Sequence, residues 1–101
     1  MREYAIWLNG WQDHRLDESR WPEVMHPNSV PWRLVSEGDD YRIEVEGIEV
    51  SFSDVSPLGI KVAFHGRRVP KGLARRVLDE VLSNIQQATG QEGRIVETYL
   101  H

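Results

Sequence analysis

The densest group of side chains that could act on another molecule is basic. Five positive charges fall within ten residues: Arg67, Arg68, Lys71, Arg75 and Arg76. We call these residues the basic cluster. They surround the predicted start of a helix, where cations oppose the helix dipole, so helix stability does not account for them. The cluster is either an anion-binding site or a solvated face with ion pairs to residues 13–23 or 37–40, and no glycine-rich phosphate loop accompanies it.

His65 stands just before the basic cluster and suggests an enzymatic hypothesis. A histidine can shuttle a proton while neighbouring cations stabilise a pentacovalent phosphate. A metal-independent nuclease or phosphate-ligand protein would use His65, Arg67, Arg68 and Lys71. The other histidines are His14, His26 and His101, and no two of the four have the i, i+4 spacing of a helical metal site. No serine stands in a nucleophile-elbow pattern. We therefore expect a protein without catalytic residues, metal or cofactor.

Aromatic and acidic residues are concentrated in the first 40 positions. All four tryptophans lie there, and Trp11 and Trp21 stand among charged residues, which is unfavourable for a core position. Tryptophan is a frequent anchor of protein interfaces, although these rings would alternatively cap the open end of a small sheet. We predict a partner-binding surface that comprises Trp11, Asp13, Asp17, Glu18 and Trp21, with a rim of Glu37, Asp39 and Asp40.

The charge is distributed unevenly along the chain. The net charge is −4, with eight acidic and four basic side chains in the first 40 residues, but six basic and four acidic ones in residues 66–101. An acidic balance argues against a dedicated nucleic-acid binder, whose footprint is strongly basic. A polarised surface instead suits a charged protein partner, which it steers during association.

Length and composition indicate one globular domain over residues 1–101. The 101 residues are 40% hydrophobic and 28% charged, which is ordinary for a folded chain. The absence of cysteine excludes disulfides, thiolate zinc sites and cysteine nucleophiles. No apolar run approaches the roughly 20 residues that span a bilayer, and Met1 is not followed by a signal-peptide core. We expect a cytoplasmic protein with no membrane contact.

The second half of the chain has clear secondary-structure patterns. Apolar residues alternate over 41–45 and 48–52, which predicts two strands joined by a two-residue turn at Glu46-Gly47, although a bulge at Gly47 in one long strand would also fit. Residues 60–64 predict a third strand. A helical stripe then runs between Pro70 and Gly90, and residues 94–100 predict a closing strand.

The first half is less regular. Residues 4–8 predict a strand followed by the Asn9-Gly10 turn signal, and residues 32–36 predict another strand. For residues 11–18 the sequence leaves three alternatives open: a short return strand, a turn of helix or a surface loop. Together these elements predict an α+β domain with two layers, a mostly antiparallel sheet of four to six strands and one long helix packed on one face.

The layout of residues 41–100 resembles the small immunity proteins of bacterial polymorphic and contact-dependent toxin systems. The likeness lies in the hairpin Tyr41–Phe52, the strand Gly59–His65, the helix Leu73–Thr89 and the terminal strand Gly93–Leu100, together with an acidic balance. The resemblance implies stoichiometric neutralisation of a cognate toxin, often a basic nuclease. We therefore predict an inhibitor that binds a basic toxin or nuclease. The alternatives are the nuclease or phosphate-ligand hypothesis and a self-associating structural subunit of a phage or secretion assembly.

Overall fold

In the computed structural model, which describes residues 1–13, 15–37 and 41–98, six strands form one antiparallel sheet with a long helix against one face. The elements, in chain order, are β1 (Arg2–Leu8), a 3-10 helix (Glu18–Glu23), β2 (Arg33–Ser36), β3 (Tyr41–Val45), β4 (Ile48–Val55), β5 (Gly59–His65), α1 (Lys71–Thr89) and β6 (Gly93–Thr98). The strand order across the sheet is β2-β3-β4-β5-β1-β6. The predicted α+β class is confirmed. Residues 99 and 100 of the predicted closing strand lie outside the described residues.

The β3–β4 hairpin has the predicted register. Val45 pairs with Ile48, and the two further rungs join Ile43 to Val50 and Tyr41 to Phe52. Glu46 and Gly47 have φ values of 50° and 78°, and positive φ at both central residues is the signature of the tight turn that suits twisted strands. The two-residue turn, rather than a bulge, therefore explains why the apolar residues fall on odd positions in β3 and on even positions in β4.

Two arginines relieve the repulsion between the facing acids of this hairpin. Glu44 lies opposite Glu49, and facing like charges destabilise a strand pair. Arg33 of β2 donates two hydrogen bonds to the Glu44 carboxylate, from Nε at 2.9 Å and Nη2 at 3.0 Å. Arg42 lies 3.5 Å from Glu49. Each acid therefore has its own cation.

Helix α1 buries its apolar stripe against the sheet. The buried positions are Ala74, Val77, Leu78, Val81 and Ile85, which recur at the spacing of one helix face. Gly90 ends the helix with a left-handed φ of 74°, and its N–H donates to the carbonyl of Gln86 at 2.8 Å. Glycine adopts this conformation without the steric cost that other residues meet.

The segment between β1 and β2 packs on the same side of the sheet as α1. Residues 11–13 and 15–17 are turn and irregular backbone, so the loop alternative, and not a return strand or a turn of helix, follows the Asn9-Gly10 turn, and the 3-10 helix begins only at Glu18. Asn84 of α1 donates to the carbonyls of Val24 at 3.1 Å and His26 at 3.0 Å. The segment and α1 therefore form one layer, and the core lies between this layer and the sheet.

Candidate functional site

The two tryptophans predicted as interface anchors are core residues. Trp11 is 0% exposed and Trp21 is 2% exposed. Trp11 Nε1 donates to Asp54 Oδ1 at 3.3 Å, and Trp21 Nε1 donates to the carbonyl of Leu16 at 3.2 Å. A buried indole needs such an acceptor for its N–H. The prediction that these rings stand outside the core is wrong, because they fill the space between the irregular segment and the sheet. Trp11 has no exposed surface, and Trp21 exposes only 2% of its surface.

Asp17 is held at the start of the 3-10 helix. Its side chain accepts a hydrogen bond from the backbone N–H of Ser19 at 2.9 Å, which is the usual role of aspartate at a helix start. That bond, and a second one from the Ser19 side chain, lower the pKa of Asp17. The exposed carboxylate is therefore ionised and has a defined position.

Glu18 and Glu37 converge although 19 residues separate them in the chain. Both line a depression of about 160 Å³, whose other walls include Trp21, Pro22 and Tyr41. Burial, followed by the charge of Glu37, raises the pKa of Tyr41 to about 12. Both glutamates are exposed. The core aromatics thus form the floor of a surface feature whose rim is acidic.

A second depression continues the acidic area from the other side of Glu18. Its volume is about 380 Å³, and it is lined by Arg15, Leu16, Asp17, Glu18 and Asp54. Arg15 Nη1 lies 3.2 Å from Asp54 Oδ2. Partial burial would raise the pKa of Asp54, but hydrogen bonds from Ser56 and Trp11 and the charge of Arg15 outweigh it, so the pKa is lowered.

We call Asp17, Glu18 and Glu37 the acidic surface. Among the described residues, none of the three forms an ion pair. Asp13 is also exposed but lines neither depression. Asp39 and Asp40, predicted as rim residues, lie outside the described residues. The contribution of Asp54 was not predicted, because it comes from the end of β4 and no local pattern links it to residues 15–18.

An edge strand with apolar side chains leads into the acidic surface. Strand β2 lies at one border of the sheet, and Glu37 directly follows it. Leu34 and Val35 are 36% and 40% exposed. The register of β2 against β3 shifts between Leu34 and Ser36, which is a common irregularity of edge strands.

The basic cluster is not a single site. Arg75 pairs with Asp79 at 3.2 Å along α1, while Arg67 and Arg68 line a separate cavity together with Arg2. Lys71 and Arg76 are exposed and border no part of that cavity. Within the described ranges, no member pairs with an acid of residues 13–23 or with Glu37. The predicted ion pairs to the first half of the chain are therefore not observed there.

His65 is separated from the arginines that would assist it in a nuclease. Its Nε2 lies 2.9 Å from Ser51 Oγ, and it does not line the cavity of Arg67 and Arg68. In the part of the chain that the structure describes, which omits His14 and His101, no group of three or more histidine or carboxylate ligands could hold a metal ion.

Comparisons with protein-family models, with curated proteins and with solved structures gave no match. Among the described residues, no helix is both long and apolar enough to cross a membrane.

Proposed function

We propose that this chain is a non-enzymatic protein-binding domain of the cytoplasm. It acts as an immunity protein or inhibitor that neutralises a basic toxin or nuclease by stoichiometric binding. The observation that carries the proposal is the convergence of Glu18 and Glu37 on one depression, with Asp17 beside them. The partner would place lysine or arginine side chains against these carboxylates.

Electrostatics supports a cationic occupant. The three carboxylates of the acidic surface have no ion-pair partner among the described residues, since Arg15 beside them pairs with Asp54, and their mutual repulsion raises the energy of the free protein slightly. A basic partner relieves this repulsion and is steered by the same field, chiefly through the association rate. Leu34 and Val35 supply apolar area next to the charged patch, as interfaces generally combine an apolar centre with a polar rim.

The experiment begins with capture of the tagged chain from a lysate of its source, followed by native mass spectrometry. We expect a basic partner at one-to-one stoichiometry. The association rate of the purified pair is then measured for wild type and for the double variant Asp17→Lys/Glu18→Lys. The variant should associate at least about tenfold more slowly at low ionic strength, with a flatter salt dependence.

Glu46→Lys is the control at a remote position, with half the charge change of the double variant. Glu46 is exposed in the β3–β4 turn and lines neither depression of the acidic surface, so this reversal changes net charge without touching the proposed interface. Unchanged association of the double variant, or equal slowing by Glu46→Lys, would contradict the surface assignment. A bare monomer, a homo-oligomer or phosphodiester cleavage would contradict the inhibitor function itself.

A further inference from the structure

A second polar cavity lies at the opposite end of β5 from the acidic surface. Asp54, which lines one depression together with Asp17 and Glu18, pairs with Ile60 near the start of β5, whereas Arg2 pairs with Phe64 near its end. The cavity is bounded by the start of β1, the loop between β5 and α1, and the end of β6, and its volume is about 480 Å³. Sites for small molecules typically have volumes of about 300–1,000 Å³. We call it the arginine cavity.

Three guanidinium groups from two distant parts of the chain line this cavity: Arg2, Arg67 and Arg68. Arg2 Nε donates to the carbonyl of Val69 at 3.0 Å, which holds its guanidinium in place and leaves its terminal nitrogens available. Arg67 and Arg68 are exposed and form no ion pair among the described residues. Arg67 and Arg68 belong to the basic cluster, whereas Arg2 does not and is brought beside them by the pairing of β1 with β5.

The acidic groups of the cavity do not cancel these charges. Glu3 is buried and pairs with Lys61 Nζ at 3.2 Å, so its charge is already balanced. Glu97 is the remaining carboxylate among the described residues of the wall, and three arginines outnumber it.

We propose that the arginine cavity binds a small phosphate monoester that carries hydroxyl groups, such as a sugar phosphate or a nucleoside monophosphate. Guanidinium groups match phosphate oxygens with paired, charge-assisted hydrogen bonds. Glu97 accepts a hydrogen bond from a hydroxyl group on the carbon skeleton of the ligand, which inorganic phosphate lacks. This site is independent of the proposed partner surface and requires neither catalysis nor His65.

The test titrates the full chain with ribose 5-phosphate, adenosine monophosphate and inorganic phosphate at physiological ionic strength, with calorimetry and amide chemical shifts as readouts. We expect saturable binding of at least one monoester with a Kd below about 1 mM, tighter than that of inorganic phosphate. Shifted amides should belong to residues 2 and 66–69. The monoester that binds more tightly distinguishes a sugar phosphate from a nucleotide as the ligand.

Arg67→Ala/Arg68→Ala should weaken monoester binding at least about tenfold, since charge-assisted contacts of this kind are the strong ones. Arg75→Ala/Arg76→Ala is the matched control, because it removes the same charge from exposed positions outside the cavity. Thermal unfolding without ligand verifies that both variants fold. The proposal is overturned by absence of saturation, by equal affinity for inorganic phosphate, or by equal weakening in the control.

Discussion

Glu80 of α1 holds Ser29, which lies 51 positions earlier in the chain. Glu80 Oε1 accepts the backbone N–H of Ser29 at 2.7 Å, and Oε2 accepts a hydrogen bond from the Ser29 hydroxyl. The same carboxylate also accepts the N–H of Asn28. One helix side chain thus satisfies the backbone donors of residues 28 and 29, which belong to no strand or helix. This contact attaches the irregular segment to the helix layer.

Glu80→Gln should destabilise the fold in a pH-dependent manner. Partial burial alone would raise the pKa of Glu80, but hydrogen bonds from Ser29 and Asn28, with the charge of Arg76, lower it. A lowered folded-state pKa stabilises the protein above the unfolded glutamate value of about 4.3, and this stabilisation is lost as pH falls through the folded value. We expect a loss of about 1 kcal/mol near neutrality, which shrinks below about pH 4.

Urea unfolding of wild type and Glu80→Gln across this pH range measures the difference. Asp79→Asn is the control, because Asp79 is exposed and, among the described residues, forms its ion pair with Arg75 on its own helix, and such pairs contribute little. A difference between wild type and Glu80→Gln that stays constant with pH would contradict the charge-based explanation.

Trp11→Ala should destabilise the protein by about 3–5 kcal/mol, as expected for the loss of a buried indole. The ring is fully buried, and its N–H binds Asp54. Trp32→Ala in the same irregular segment is the comparison, since Trp32 is only half-buried against His26 and should cost markedly less. Chemical denaturation measures the stability of both variants. Equal stability of Trp11→Ala and wild type would contradict the core position of Trp11 and make it a candidate interface residue again.

Gly59→Ala should destabilise the sheet by at least about 2 kcal/mol. Gly59 has a φ of 151°, and an added Cβ would fall on the carbonyl oxygen of Ile6 in the neighbouring strand. Gly72→Ala is the matched opposite, because its added methyl meets open space in the first turn of α1 and should stabilise by about 0.5 kcal/mol. Thermal unfolding should show shifts of opposite sign, and a tolerated Gly59→Ala would exclude the close strand approach.

Local sequence patterns were sufficient to predict the regular secondary-structure elements. The register of the β3–β4 hairpin follows from a two-residue turn and a period of two, because a slip of one residue would turn every apolar side chain outward. The extent of α1 follows from its 3.6-residue stripe and from Gly90, which alone suits the left-handed cap. The unequal charge of the two halves is likewise visible in composition alone.

The candidate sites depended on contacts between distant residues. Trp11 looked exposed because its sequence neighbours are charged, yet its burial is decided by Asp54 and the sheet, 43 positions away. Arg2 meets Arg67 and Arg68 only because β1 inserts between β5 and β6. Periodicity and turn chemistry involve residues that are close in the chain, so the sequence alone determines them. The convergence of distant side chains depends on strand order and packing, which only the tertiary structure determines.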